Sequence, residues 1–179
     1  TLIQTGKTPR ILLLTIALVN CARAAELRVP EGFKTVQSAI DAAKSGDTVL
    51  VQPGTYREPL TLKPGVIVKS AGDDEKGKLG LRRAEATILE GGVEMAEEAV
   101  LDGFTVTGVG TYDEKLWQHH FDTQGNEQPH EHIGADGKPG IAVATNCTVT
   151  NNIVHHIGYT GIAITAGPPS RAQNARPRN

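Results

Sequence analysis

The residues with chemical potential are crowded into one part of this chain. All six histidines fall between His119 and His156. The segment 111–139 carries Tyr112, Trp117, His119, His120, Phe121, Asp122, His130, Glu131, His132 and Asp136, and His155 and His156 follow shortly after Asn151-Asn152. Three chemistries suit such a set. In a sugar site, Tyr112 or Trp117 would stack on a pyranose face while His119, His120, Asp136, His155 and His156 bond its hydroxyls. In a metal site, His130 and His132 with His119 or His120 and a carboxylate would form a nitrogen-rich set suited to zinc or copper. A divalent metal is thus the one cofactor suggested. His-x-His on extended backbone places both rings on one side, which permits chelation without requiring it. In an enzyme, a histidine or carboxylate would act as general base towards a bound uronate, with no catalytic residue singled out. The competing reading is a solvated polar loop whose histidines are incidental; loops of this length tend to be either functional or disordered.

Other motifs read more plainly. Asn146-Cys147-Thr148 matches a glycosylation acceptor, but Thr148 opens a β-branched run, so the match is read as incidental. Cys147 beside that run reads as a small buried apolar residue rather than a nucleophile. The basic stretch Lys76–Arg83 reads as a solvated loop, with grip on an acidic polysaccharide as the functional alternative.

The elements that must position these residues are short. Val36, Ala39, Ile40 and Ala43 share one helical face, with Thr35 placed to cap its start and Ser45-Gly46 to stop it. No other stretch reads as a good amphipathic helix. From Thr48 onward come β-branched runs at Thr48–Val51, Leu60–Leu62, Val66–Val68, Ala86–Leu89, Val100–Thr107, Ile141–Val143, Thr148–Val154 and Ile162–Ile164. Pro53-Gly54 and Pro64-Gly65 suit the centres of type II turns. Short strands with such turns and no helices between them predict an all-β architecture.

Internal repetition orders the strands. Gly140-Ile141-Ala142-Val143 recurs as Gly161-Ile162-Ala163-Ile164, 21 residues on. Thr105-Val106-Thr107 is matched to Thr148-Val149-Thr150, which implies an excess of 22 residues in the earlier repeat, placed around Thr111–Pro139. A period near 21 residues predicts a solenoid in which parallel strands stack like on like, with Val, Ile and Leu forming interior columns. Asn151-Asn152 would hydrogen-bond from repeat to repeat at a bend, with Gly108 standing at the equivalent place before it.

The N-terminal 1–24 is read separately. Lys7 and Arg10 precede the apolar run Ile11–Val19, and Ala22-Arg23-Ala24 follows, the order of a signal peptide. A run of nine residues is too short to span a bilayer. Its removal takes three of the 18 Lys and Arg and none of the 20 Asp and Glu, which leaves a net charge of −5 and argues against a nucleic-acid partner. It also leaves Cys147 as the one cysteine, so no internal disulfide can form. Residues 25–167 form the expected domain, and 168–179 read as a disordered polar tail. The absence of a starting methionine and the tail together suggest a fragment with further repeats beyond.

The segments Phe33–Ala43, Gly46–Val49 and Pro53–Glu58 resemble the opening of pectin-lyase-like right-handed β-helices, among them pectin methylesterases and bacterial β-helix repeat proteins, and Thr148–Ile164 resembles their repeat unit. The resemblance spans roughly residues 27–166 and implies a right-handed parallel β-helix whose open N-terminal end is capped by the Val36–Ala43 helix. The later methylesterase motifs and the clustered acids of calcium-dependent lyases are not found, so no catalytic role is carried over. The expectation is a secreted or periplasmic carbohydrate-active β-helix that binds or cleaves an extracellular, acidic polysaccharide, with no membrane span once the leader is removed. The alternatives are a non-catalytic surface or adhesion β-helix and a periplasmic metal-handling β-helix.

Overall fold

The computed structural model describes residues 23–75, 77–127 and 138–164. All but two residues of the expected signal peptide, the candidates His130, His132 and Asp136, and the expected tail at 168–179 lie outside the described residues. Among the described residues no helix is long and apolar enough to cross a membrane.

The protein is all-β, with short parallel strands and, among the described residues, three brief helices. In chain order the elements are β1 (Glu26–Val29), α1 (Val36–Ala42), β2 (Thr48–Val51), β3 (Gly54–Tyr56), β4 (Leu60–Thr61), β5 (Ile67–Ser70), α2 (Arg82–Ala86), β6 (Thr87–Glu90), β7 (Val93–Glu94), β8 (Val100–Asp102), β9 (Thr105–Thr107), α3 (Glu114–Asp122), β10 (Ile141–Val143), β11 (Thr148–Thr150), β12 (Ile153–Val154) and β13 (Ile162–Ile164). Three sheets collect them: β1-β2-β5-β8-β11 in sheet A, β3-β6-β9-β12 in sheet B and β4-β7-β10-β13 in sheet C. From β2 onward the chain visits A, B and C in that order four times, and every pairing is parallel.

Register turns this topology into a core. Leu27, Val49, Val68, Leu101 and Val149 align across sheet A. Tyr56, Leu89, Val106 and Val154 align across B, and Leu60, Val93, Ile141 and Ile162 across C. Strand side chains alternate between faces, so one face of each sheet contributes an apolar column and the other meets solvent or an insertion. Phe104, fully buried at the bend between β8 and β9, fills the interior corner. The columns are sealed in the middle circuits and open in the last, where Ile162 is 48 % and Ile164 85 % exposed.

Helix α1 has the predicted face and start, but it ends at Ala42, before Ser45-Gly46, where Ala43 turns to extended backbone. The Thr35 side chain accepts from Ser38 N at 3.1 Å, and Val36, Ala39, Ile40 and Ala43 are fully buried against the first circuit. Glu58, between β3 and β4, adds a second cap: its carboxylate accepts from Val36 N at 2.9 Å and Gln37 N at 3.1 Å. An anion there satisfies two backbone donors that a helix start leaves unpaired.

Several expectations are corrected. Ile141–Val143 and Ile162–Ile164 are register neighbours, as their repetition implies. The two Thr-Val-Thr segments are not: 105–107 belongs to sheet B and 148–150 to sheet A, where Thr148 faces Val100. Both sheets favour β-branched residues, so identical triplets arise without equivalence. Thr105 instead pairs with Ile153, 48 positions on, so this circuit exceeds the 21-residue spacing of Ile141 and Ile162 by 27 residues rather than 22. Val100–Thr107 and Thr148–Val154 each divide into two strands as the chain turns from A to B. Gly103 at the first bend has φ +87°. Gly54 opens β3 with no positive φ, so Pro53-Gly54 is not a type II turn, whereas Gly65 has φ +67° and Val66 N donates to Lys63 O at 3.2 Å as such a turn requires. Helices also occur between strands: α2 in an insertion between β5 and β6, which takes Ala86 from the expected strand, and α3 in the long insertion between β9 and β10.

Candidate functional site

The long insertion leaves the body at Gly108 and returns at Pro139. Between these points α3 is capped by Asp113, whose carboxylate accepts from Lys115 N at 2.9 Å and Leu116 N at 3.1 Å. No residue of α3 is fully buried, so the helix stands off the core. His119 and His120 lie on this helix, whereas the His-x-His pair, His130 and His132, lies outside the described residues.

The described candidates fall into two groups. Along α3, the Trp117 and His120 rings meet edge to face at 6.1 Å, and His119 Nε2 lies 2.8 Å from Glu127 Oε2. The second group joins the start of the insertion to the end of β12. Tyr112 meets His156 edge-on at 4.8 Å, and the rings of His155 and His156 are 4.7 Å apart and nearly perpendicular. The Tyr112 hydroxyl donates to Glu114, a bond that raises the phenol's pKa. Nδ1 of His155 contacts Nδ1 of His156 and lies 3.5 Å from Thr107 Oγ1. Desolvation, and after it the neighbouring His156, hold His155 below the ordinary imidazole value. Among the described residues no group of three or more His, Cys, Asp or Glu is placed to hold a metal ion.

An open groove of about 520 Å³ lies at the foot of the insertion. Thr61, Glu94 and Ala142, outward on sheet C, form its floor, and Gly108–Gly110 with Lys138 and Pro139 form one wall. Cys147 is half-buried against the core, with Sγ donating to Ala96 O at 2.9 Å. Asn146 is exposed in the turn before β11 with φ +56°, and Thr148 begins that strand.

The most developed polar cluster is one that sequence reading assigned to solvent. Arg83, on α2, is only 6 % exposed. Its Nε and one terminal nitrogen donate to Asp74 Oδ2 at 3.1 and 2.8 Å, and its two terminal nitrogens reach the Asp102 oxygens at 3.2 and 2.9 Å. Asp102 also accepts from Asn151 Nδ2 at 2.9 Å, and Lys69 Nζ lies 3.6 Å away. Asp102 thus ties the insertion carrying α2 to the circuit of β8 and, through Asn151, joins that circuit to the next. The bonds from Arg83 hold Asp74 below the usual carboxylate range. At Asp102 burial pushes the pKa up, but the bonds from Arg83 and Asn151 outweigh it and the net shift is downward. The Arg83 guanidinium is held still more firmly protonated by its bonds to the two carboxylates. A basic run of sequence gives no sign of this, because the partners lie 9 and 19 positions away.

The asparagine pair does bond between circuits, but not to asparagines or to Gly108. Asn152 Oδ1 accepts from Phe104 N at 2.8 Å and its Nδ2 donates to Leu101 O at 2.9 Å. The equivalent bend is therefore Gly103-Phe104.

The fold and these clusters define an all-β protein of three parallel, in-register sheets with a polar insertion on one side. No family model matches the chain, and no solved structure does. It is similar to the cell surface glycoprotein of Methanothermus fervidus, with 26 % identity over 158 residues covering 84 % of this chain. The chain spans about a fifth of that relative's length, 21 %.

Proposed function

We propose that this chain is a right-handed parallel β-helix segment of a protein displayed at the cell surface, where it serves as a non-catalytic scaffold that presents the 108–140 insertion. The observation that carries this reading is the unbroken register of three parallel sheets through four circuits. Such stacking gives a stiff body whose insertions project sideways without disturbing the core. The outward columns carry mixed residues, Thr55, Ile88, Thr105 and Ile153 on sheet B for example, rather than the ordered acids of a calcium-assisted lyase. Likeness to a cell surface glycoprotein supports the location.

Antibody labelling of intact, unpermeabilised cells tests display. Labelling should match that of lysed cells, and signal confined to lysed cells would refute the proposal. A crystal structure reading left-handed winding would refute the β-helix assignment.

A second reading, polysaccharide binding, is favoured by the groove of about 520 Å³ beneath the insertion. Titration calorimetry with neutral and uronate oligosaccharides should then give saturable heat. Flat titrations across both classes would remove it, as would absent formation of unsaturated ends for the lyase form.

A further inference from the structure

Adjacent residues of a strand point to opposite faces. His155 continues β12, with its N–H donating to Val106 O at 3.2 Å, so His156 should point away from it. It does not, because His156 adopts φ +51°, in the left-handed region that residues with a Cβ rarely enter. The backbone then resumes pairing at once, with Ile157 opposite Val109 and Gly158 N donating to Val109 O at 2.8 Å. The irregularity is a single residue long, and its effect is to bring two imidazoles together. Strained backbone of this kind persists where the surroundings hold it, and here it assembles chemistry.

The convergence is specific to one atom of each ring. Nδ1 of His155 and Nδ1 of His156 face each other, with Thr107 Oγ1 at 3.5 Å from the first. The Tyr112 ring abuts His156 from the other side, edge-on at 4.8 Å. Both histidines are exposed, so an ion in solution can reach them.

We propose that His155 and His156 form a two-nitrogen binding site for copper(I), coordinated through the two Nδ1 atoms. The donor count selects the ion. Structural zinc takes four ligands, and calcium or magnesium takes six or more, mostly oxygens. Among the described residues no third His, Cys, Asp or Glu joins this pair in a metal-binding group. Copper(I), a d¹⁰ ion with no geometric demand from its d electrons, accepts two imidazole nitrogens in a near-linear arrangement. The two nitrogens stand closer together than an intervening ion allows, so loading turns the rings apart, which their exposure permits. The site is independent of the display role proposed above, since it needs only the β12 end and Tyr112.

The test uses the full chain carrying Cys21→Ser and Cys147→Ser, which removes thiols that would compete for copper. Copper(I) is supplied anaerobically as its coloured bicinchoninate complex, and the colour lost on adding protein reports transfer. The parent chain should withdraw one equivalent. His156→Asn, which tolerates the left-handed backbone, should weaken that withdrawal at least tenfold, and His155→Ala should do the same. His130→Ala/His132→Ala and His119→Ala/His120→Ala should leave it unchanged. Undiminished competition by His156→Asn, loss in either of the other double variants, or no transfer to the parent chain would overturn the site. Zinc(II) bound more tightly than copper(I) at the same histidines would overturn the two-coordinate assignment.

Discussion

Replacing Arg83 by methionine keeps most of its length while removing the guanidinium from a site where it is 6 % exposed. Two carboxylates then lose their partner. Asp74, with a side chain 29 % exposed, can turn towards water. Asp102, at 12 %, keeps only Asn151 at 2.9 Å and Lys69 at 3.6 Å. Removing one member of a buried pair costs about 3–5 kcal/mol when nothing remains to compensate the other. The surviving partners of Asp102 place the expected loss near the lower end, about 3 kcal/mol. At a urea dependence of about 2 kcal/mol per molar, the unfolding midpoint followed by circular dichroism should fall by about 1.5 M at pH 7. Arg83→Lys should recover little, because a point charge cannot serve two carboxylates through a planar fork. The effect also has a pH signature. Asp74 and Asp102 are depressed in the folded state, so their contribution is fully present above the unfolded carboxylate value near 3.8 and is lost as pH falls through the lower folded values. The gap between wild type and Arg83→Met should therefore persist from neutral pH down to about 4 and narrow below it. A midpoint unchanged at pH 7, or a gap that widens in acid, would refute the assignment of Arg83 as the tie between circuits.

Two further substitutions probe the interior. Phe104→Ala empties a fully buried corner and should cost about 3–5 kcal/mol, measured by the same denaturation; a loss under 1 kcal/mol would mean the corner collapses freely. Asn152→Ala removes the acceptor for Phe104 N and the donor to Leu101 O, so it should cost about 1–3 kcal/mol. Faster amide exchange at Phe104 should accompany that loss, and unchanged protection there would count against a bond between circuits.

The sequence carried the all-β class and much of the order. Helix α1 was legible because its buried residues recur at helical spacing and Thr35 stands at its start, both local signals. The pairing of Ile141 with Ile162 was legible because no insertion separates the two segments. Strands β3 and β7 were not read from the sequence, since Gly54–Tyr56 carries no aliphatic residue and Val93–Glu94 only one. The candidate site was legible in composition but not in arrangement: Tyr112, His155 and His156 were all marked, but their meeting depends on one residue's positive φ.

By itself, then, the order of residues determined where β-branched runs, turns and one capped helix must fall, because these depend on neighbours within a few positions. Tertiary structure alone decided which run lies beside which. Sheets A and B accept the same Thr-Val-Thr triplet, and only the whole circuit, including a 27-residue excess, sets their register. It also decided that Arg83 is buried rather than solvated. A charge can leave water only where opposite charges meet it, and here those come from Asp74 beside it and Asp102 a circuit away.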